Sequence, residues 1–252
     1  MENLHQQKKL VGCKMKICKA HGEYNSKEIK FNSRVIETGC PMCAEESQKQ
    51  QEETERQEKE QALKRKIEVA GITKRFKKTS FNNYNPVSNT SVKNLKALQA
   101  YSKEFKKVCE TGSSLILCGT PGTGKTHLAT ALLKDLIKLG YIVIYTTNYN
   151  MIAKIKATYS KFSDQNEKHV IHQLTTAKLL VIDEVGVIFG SEADKILFYQ
   201  VINGRYDNML PTILISNLTQ KELKNSIGER CFDRLKEGAG AVLNFKWDSY
   251  RR

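Results

Sequence analysis

The sequence contains no apolar run of the eighteen or so residues that a bilayer crossing needs, and no signal peptide at its start. A cytoplasmic protein without membrane contact is therefore expected. It has no internal repeats, which argues against a solenoid or propeller. Acidic residues are fewer than basic ones, 27 against 41, and the formal net charge is +14. Seven cysteines in a cytoplasmic chain should stay reduced, so disulfides are not expected either.

What the sequence does contain is a glycine-rich loop between a predicted strand, residues 114–118, and a predicted helix, residues 127–139. The loop fits the pattern G-x-x-x-x-G-K-[ST] at every fixed position. Its residues are Gly119, Thr120, Pro121, Gly122, Thr123, Gly124, Lys125 and Thr126. Backbone N–H groups of such a loop wrap phosphates, Lys125 would reach the β- and γ-phosphates, and the Thr126 hydroxyl would bind Mg²⁺. The pattern predicts a site for ATP or GTP.

A second part of the same site is predicted further along the chain. The apolar run 178–182 ends in Asp183 and Glu184, as in a buried parallel strand that delivers acids to the carboxyl edge of a sheet. Asp183 would hold Mg²⁺ through water, and Glu184 would orient or deprotonate the attacking water. Asn217 follows another apolar run, and its amide could sense the γ-phosphate. The alternative is that the two acids only cap the next turn.

The order of the predicted elements indicates the fold class. Strands predicted at 114–118, 141–146, 179–182 and 212–216 alternate with helical segments. This alternation predicts an α/β fold, a P-loop parallel sheet with helices on both faces. A length of 252 residues leaves room for one such ATPase domain, predicted over residues 71–252, and a smaller module before it.

A metal site is predicted near the start of the chain, where two short turns each offer two ligands to a tetrahedral zinc. The four candidate ligands are Cys18, His21, Cys40 and Cys43. A region this small cannot build a sufficient core alone, so residues 1–43 are predicted to be a zinc-binding module stapled by the metal. Cys13 is a possible substitute ligand. The remaining cysteines, which stand singly in apolar or helical surroundings and are predicted to be small core residues, are Cys109, Cys118 and Cys231.

Residues 44–70 contain neither glycine nor proline and are rich in Glu, Gln, Lys and Arg. They predict a long solvated linker helix with many i,i+4 charge pairs, and their apolar positions are too few for a coiled coil. A disordered tether is the alternative.

The basic excess is densest in residues 71–112, which carry nine basic and two acidic side chains interleaved with aromatics. Those aromatics are Phe76, Phe81, Tyr84, Tyr101 and Phe105. A surface that faces nucleic acid is one interpretation, and aromatic residues of the core are the other.

Several segments together resemble the DnaC-type replicative helicase loaders of the AAA+ superfamily, a group that also contains the IstB-like transposition ATPases. These segments are 70–76, 80–84, 119–126, 180–186, 215–218, 228–235 and 247–251. The resemblance covers nearly the whole length. The Cys and His pattern of the first module is similar to that of loaders encoded by phages and prophages.

The resemblance implies an ATPase that binds the replicative hexameric helicase and acts on single-stranded DNA. It implies that Arg234, with Arg230 as the alternative, is a finger that reaches the ATP of a neighbouring subunit, so that the protein self-associates through its ATP sites. Arg251 is implied to be the second phosphate sensor in cis. The few residues after Asn217 leave no room for a full helical lid, which predicts a truncated one.

Residues 151–162 lie where initiator-type relatives carry helices that contact DNA. Their lysines, which would track phosphates, are Lys154, Lys156 and Lys161, and their aromatics, which could stack on bases, are Tyr159 and Phe162. An ordinary amphipathic helix explains the same residues.

Three functions from different classes fit these observations. The first is an ATP-dependent helicase loader, the second an IstB-like ATPase that assists a transposase, and the third a zinc-containing adapter that uses nucleotide only as a switch. The first module and the 247–251 ending favour the first function over the second. Intact Lys125, Asp183 and Glu184 permit turnover without requiring it to be fast, so loader and adapter are not separated.

Overall fold

The computed structural model describes residues 9–31, 34–160, 166–186, 189–237 and 240–250. The chain forms two compact units that divide between Ala62 and Leu63. Among the described helices, none is long and apolar enough to cross a membrane.

The first unit contains a three-stranded antiparallel sheet that the sequence did not predict. Its strands are β1 (Lys9–Cys18), β2 (Gly22–Phe31) and β3 (Arg34–Glu37), in that order across the sheet. The β1–β2 turn ends at Gly22, whose φ of +75° suits glycine, and Cys18 pairs with Gly22 in the register. The sheet thus brings Cys18 and His21 to one end of a hairpin.

A single long helix, α1 (Pro41–Val69), follows this sheet. Proline at its first position costs no hydrogen bond, and Gly71 follows its end. Ion pairs one turn apart, such as Lys49–Glu45 at 2.8 Å and Lys59–Glu55 at 3.2 Å, run along its surface. The predicted solvated helix is therefore confirmed, and it begins three residues earlier than position 44.

The second unit is an α/β domain. Its elements are α2 (Asn89–Lys103), α3 (Phe105–Thr111), β4 (Leu115–Gly119), α4 (Lys125–Lys138), β5 (Val143–Thr147), α5 (Asn148–Ala157), α6 (Glu167–Thr176), β6 (Leu179–Asp183), α7 (Glu192–Asp207), β7 (Thr212–Ser216), α8 (Gln220–Ile227), α9 (Glu229–Lys236) and β8 (Ala241–Phe245). Two single 3₁₀ turns, Lys74–Phe76 and Phe81–Asn83, precede α2.

The five strands form one parallel sheet in the order β5-β6-β7-β4-β8. This confirms the predicted fold class and its four strands. The fifth strand, β8, was not predicted, because it lies at an edge of the sheet, its apolar run is only three residues long, and only Phe245 in it is fully buried. After β8 the structure describes residues 246–250, and none of these is helical.

The sheet is covered on both faces, as its side-chain alternation requires. Leu115 and Leu117 of β4 point into one hydrophobic core, and Ile116 and Cys118 point into the other. Cys231 is also buried and Cys109 is half-buried, which agrees with their prediction as core cysteines. Four aromatics of the basic segment are buried as well, namely Phe81, Tyr84, Tyr101 and Phe105, and Phe76 packs against them. These aromatics are core residues, so they do not form a surface for nucleic acid.

A fully buried arginine forms hydrogen bonds at the end of this sheet where the strands begin. Arg205 of α7 donates to Thr212 Oγ1 at 2.9 Å and to the carbonyl oxygens of Leu174, Ala177 and Pro211 at 2.5, 3.0 and 2.6 Å. Burial lowers the pKa of its guanidinium to about 9, so the group stays charged at neutral pH. Its hydrogen bonds join α7 to the end of α6, to the connection between α6 and β6, and to the start of β7.

We expect Arg205→Met to lower the free energy of unfolding of the second unit by about 3 kcal/mol, because buried acceptors left without a donor cost ~1–3 kcal/mol each. Urea unfolding followed by Trp247 fluorescence measures this, since Trp247 is the only tryptophan and packs on Phe245. The control Lys106→Met changes an exposed side chain and should shift stability by less than about 0.5 kcal/mol. Equal changes in the free energy of unfolding for Arg205→Met and Lys106→Met would contradict a stabilising role of the Arg205 hydrogen bonds.

Candidate functional site

The glycine-rich loop joins the carboxyl end of β4 to the start of α4, as predicted. Gly119, Gly122 and Gly124 have φ values of +130°, +78° and +89°. A Cβ at Gly119 would lie 2.1 Å from the carbonyl oxygen of Phe245, and one at Gly124 would lie 2.5 Å from the ring of Tyr84. Glycine is therefore required both by the backbone conformation and by the close approach of its neighbours. The donor set, backbone N–H groups at a helix N-terminus, fits a phosphate chain.

Lys125 begins α4 and is 4% exposed. Its Nζ donates to the carbonyl oxygens of Gly119 and Thr120, both at 2.8 Å, and so closes the loop on itself. Both of these acceptors are neutral carbonyl oxygens. A phosphate oxygen placed in the loop would offer the same ammonium a charged acceptor.

The side chains of Thr126 and Asp183, which the sequence assigned to Mg²⁺, lie together. Thr126 Oγ1 donates to Asp183 Oδ2 at 2.7 Å, although the two residues belong to α4 and β6. Tyr145 donates to the same oxygen at 2.9 Å, and the N–H of Glu184 donates to Oδ1 at 2.7 Å. Asp183 is 6% exposed. A hydroxyl and a carboxylate held side by side at a phosphate-binding loop are a donor set that suits Mg²⁺.

Glu184 and Asn217 follow neighbouring strands of the sheet, β6 and β7, and both side chains are exposed. They line one cavity of about 550 Å³ together with Lys125, Thr126 and Asp183. Glu184 has a φ of +58°, which non-glycine residues adopt at a cost of about 1–3 kcal/mol and which is found preferentially at functional sites. Apart from the arginines, the structure thus brings together all five residues that were predicted to be catalytic or metal-binding in this site.

One wall of the cavity was not assigned from the sequence. It consists of residues before α2, of His127 in α4, of Tyr145 in β5 and of the end of the described chain. Its side chains are Arg75, Phe76, Thr79, Asn83, Tyr84, Asn85, His127, Tyr145 and Tyr250. The segments 70–76 and 80–84 were noticed for their resemblance, but no local pattern connected them with a nucleotide.

Two contacts hold this wall against the loop. Lys134 of α4 is buried, and its Nζ donates to the carbonyl oxygens of Phe76 and Lys77 at 3.2 and 3.0 Å and to that of Thr79. Burial lowers the pKa of Lys134. On the other side, Tyr250 donates its N–H to the Gly122 carbonyl at 2.9 Å. The tail after β8 therefore crosses the phosphate loop, and the predicted sensor Arg251 lies just outside the described residues.

The four predicted zinc ligands also lie together, with all ligand atoms within 4.8 Å of one another. His21 Nδ1 is 3.3, 3.7 and 3.8 Å from the sulfurs of Cys43, Cys18 and Cys40, and the Cys18 and Cys43 sulfurs are 3.4 Å apart. A tetrahedron with zinc–sulfur bonds of about 2.3 Å has edges of roughly 3.8 Å, so these spacings fit one zinc ion. Cys13 is exposed and lies outside the cluster.

The surroundings of the cluster favour metal ligation. His21 Nε2 is 3.1 Å from Glu46 Oε1 on α1, the second hydrogen bond that orients a ligating imidazole and leaves Nδ1 for the metal. The backbone N–H of Ala20, together with Cys43 and the N–H of His21, lowers the pKa of Cys18 to about 6, which favours the thiolate.

Comparison with known proteins places the chain. The family described as IstB-like ATP binding protein matches residues 45–252. The replicative helicase loader DnaC of Buchnera aphidicola subsp. Schizaphis graminum (strain Sg) is 35% identical over 197 residues, 78% of this chain and 79% of that relative. DnaC of Escherichia coli (strain K12) is 32% identical with the same coverage, 78% and 79%. This chain belongs to the IstB/DnaC-like family of ATP-binding proteins. A crystal structure of the DnaC helicase loader shares the fold, with a TM-score of 0.62 and 24% identity over 69% of this chain and 100% of that one.

In this IstB/DnaC-like chain neither candidate finger lines its own nucleotide cavity. Arg234 donates to the Tyr199 hydroxyl at 2.8 Å and to Asn203, and its guanidinium lies 5.1 and 5.2 Å from the ring centres of Tyr199 and Tyr206. Arg230 is exposed and forms no hydrogen bond or ion pair with the residues that the structure describes. The side chain of Arg234 is thus held by contacts within the chain, whereas that of Arg230 has no polar contact with the described residues.

The predicted DNA-contacting segment includes α5, whose Met151, Ile152 and Ile155 are buried. Lys156 forms an ion pair with Asp194 of α7, and Lys154 donates to the Gln173 side chain at 3.3 Å. Two further candidate residues, Lys161 and Phe162, lie outside the described residues. Tyr159 is exposed. This arrangement is what an amphipathic helix would show, and Lys156 would have to leave Asp194 to reach a phosphate.

Proposed function

We propose that this protein is an ATP-dependent loader that binds the replicative hexameric helicase and delivers it onto single-stranded DNA during replication initiation. The observation that carries the proposal is a cavity that brings together Lys125, the Thr126–Asp183 pair and Glu184, in a chain whose relatives at 32–35% identity are named replicative helicase loaders. A separate first unit with a metal cluster adds a surface that the nucleotide site does not need.

In the proposed mechanism the loop residues 119–126 hold the phosphate chain through their N–H groups, and Lys125 exchanges its two carbonyl acceptors for β- and γ-phosphate oxygens. Thr126 and Asp183 hold Mg²⁺, which supplies charge neutralisation at the phosphates. Glu184 accepts a proton from the attacking water, and Asn217 orients that water from the opposite side of the cavity. The side chains of Glu184 and Asn217 line the cavity and are exposed, and both residues lie just beyond the ends of their strands, as these roles require.

The arginines complete the proposed site between subunits. Arg234, with Arg230 as the alternative, would place a guanidinium on the γ-phosphate of a neighbouring copy, and Arg251 would contact the γ-phosphate in cis. The hydrogen bond from the Tyr250 N–H to the Gly122 carbonyl supports the second role, because it brings the last described residue to the phosphate loop. Because the finger lies away from the chain's own cavity, the contact between copies is head-to-tail, which produces rings or open spirals.

The proposed division of the chain has three parts. The zinc-binding module, residues 1–43, and the linker helix, residues 44–70, would bind the helicase, and the ATPase domain, residues 71–252, would sense single-stranded DNA. The β1–β2–β3 sheet supports the first part, because its register puts Leu10, Ile29 and Ile36 side by side on one face, and Met15 and Ile17 of that face are also exposed. Exposed apolar residues of this kind indicate an interaction surface.

We expect the full-length protein to co-purify with the replicative helicase of its host, with a dissociation constant in the micromolar range or tighter. In the presence of ATP it should also increase helicase-dependent unwinding of a labelled strand annealed to a single-stranded circle. The matched variant Glu184→Gln should still bind the helicase and should fail to support repeated rounds of loading. Binding by size-exclusion chromatography and unwinding of a labelled strand are the two measurements.

An IstB-like ATPase that assists a transposase is the second candidate, because the matching family carries the IstB name. The same assay separates the two. A protein that does not associate with the helicase, and instead raises the activity of a transposase in an ATP-dependent way, would contradict the loader and support the second candidate.

A further inference from the structure

Tyr145 lies in the middle of β5 and connects the metal-binding carboxylate with the start of the second unit. Its side chain is 7% exposed, and its hydroxyl donates to Asp183 Oδ2 at 2.9 Å. The other two donors to Asp183 are Thr126 and the N–H of Glu184, both of which belong to segments already assigned to the site. Tyr145 is the one donor that the sequence analysis did not connect with the nucleotide.

The sheet register explains how the phenol reaches this carboxylate. Thr147 pairs with Asp183 and Tyr145 pairs with Val181, so Tyr145 and Asp183 lie on the same face of neighbouring strands, two positions apart. A phenol is long enough to span that diagonal. Because a carboxylate has no proton to give, the hydroxyl must be the donor.

The backbone of the same residue is fixed by the segment that follows α1. The N–H of Tyr145 donates to the carbonyl oxygen of Ala70 at 2.7 Å. A Cβ at Gly71 would lie 2.3 Å from the carbonyl oxygen of Tyr145, and Gly71 has a φ of +85°. The segment therefore packs directly on the β5 backbone at Tyr145, in a way that only glycine allows.

We propose that Tyr145 is a positioning residue for the Mg²⁺ site: its hydroxyl fixes the orientation of the Asp183 carboxylate, and the Ala70–Gly71 segment fixes Tyr145. This inference rests on the proposed nucleotide site. Tyr145 acts through Asp183 and makes no bond of its own to Mg²⁺ or phosphate. Partners of this kind, one bond away from a metal ligand, change metal affinity by about 10–100-fold when they are removed. The metal-binding carboxylate is thereby joined to the end of the linker helix through one side chain and one backbone hydrogen bond.

The test uses the full-length protein and a fluorescent ATP analogue, whose affinity is measured in EDTA and along an Mg²⁺ titration. We expect Tyr145→Phe to require about tenfold more Mg²⁺ for half of the Mg²⁺-dependent gain in affinity. Its affinity in EDTA should stay within about twofold of wild type, because the ring and the loop are unchanged. A merely structural role would change both affinities together.

Tyr141→Phe is the matched control. Its ring packs edge-on against Phe105 at 4.8 Å, and its hydroxyl forms no hydrogen bond with the described residues. The Mg²⁺ titration of this variant should coincide with that of wild type. In an Asp183→Asn background, where the carboxylate is already gone, Tyr145→Phe should produce no further shift in the Mg²⁺ requirement.

Three results would overturn the inference. A Tyr145→Phe titration equal to wild type would show that the hydroxyl does not position Asp183. An equal loss of affinity with and without Mg²⁺ would assign the effect to packing of the cavity. A wild-type affinity that ignores Mg²⁺ would overturn the proposed nucleotide site together with this inference, so the two failures are distinguishable.

Discussion

Replacing Glu184 with glutamine should slow ATP hydrolysis by about 10²–10⁴-fold and leave nucleotide binding nearly unchanged. The change is confined to the side chain, because the N–H of Glu184 that holds Asp183 is a backbone group. An amide of the same shape still fills the cavity edge beside Asn217 but cannot accept a proton from water. The positive φ of Glu184 is unaffected, since glutamine meets the same steric conditions.

Release of phosphate under single-turnover conditions and the affinity for a fluorescent ATP analogue are the two measurements. Glu192→Gln is the control, because Glu192 is an exposed acid at the start of α7 whose ion pair is with Lys195. Lys125→Ala should give the opposite pattern and lose binding, since it removes the proposed phosphate ligand together with its hydrogen bonds to the carbonyl oxygens of Gly119 and Thr120. Undiminished hydrolysis by Glu184→Gln would remove Glu184 from the mechanism.

The parts of this site that the sequence predicted are those in which a short run of residues carries both the element and its chemistry. The loop 119–126 includes its own turn glycines, its phosphate ligand and the start of its helix. The run ending in Asp183 and Glu184 is a buried strand whose last residues must emerge at the carboxyl edge of the sheet. Parallel pairing then brings Thr126 to Asp183 without any further information.

The rest depends on contacts between distant segments, which no local pattern encodes. In the sequence, nothing distinguishes Tyr145 from the other residues of a predicted strand. Only the register of β5 and β6 shows that its hydroxyl donates to Asp183. Lys134 reads as a surface lysine of α4, yet it is buried against the carbonyls of 76–79. The strands of the first unit were not predicted, although Cys13, Met15 and Ile17 alternate with lysines in β1, and these three side chains stay exposed instead of entering a core.

Replacing Cys40 with serine should release zinc and unfold the first unit. The described part of that unit has almost no hydrophobic core, because its buried residues are Ser26 and Cys40 alone. We therefore expect its fold to depend on the hydrogen bonds of a small sheet and on a metal ion held by the cluster of Cys18, His21, Cys40 and Cys43. Structural zinc contributes apparent binding free energies of about 10–16 kcal/mol, and for small domains this is also folding free energy. Losing one of four ligands in such a unit leaves little to hold it.

Zinc content by atomic absorption should fall from one ion per chain to far below one, and limited proteolysis should cleave Cys40→Ser within the first sixty or so residues. Affinity for an ATP analogue should stay as in wild type, because none of the four ligands lines the nucleotide cavity. Helicase binding should be lost together with the fold of the module. Cys13→Ser makes the same chemical change at an exposed cysteine outside the cluster and should keep its zinc, its protease resistance and its helicase binding. Loss of zinc from Cys13→Ser, with retention in Cys40→Ser, would instead make Cys13 the fourth ligand and would contradict the cluster described here.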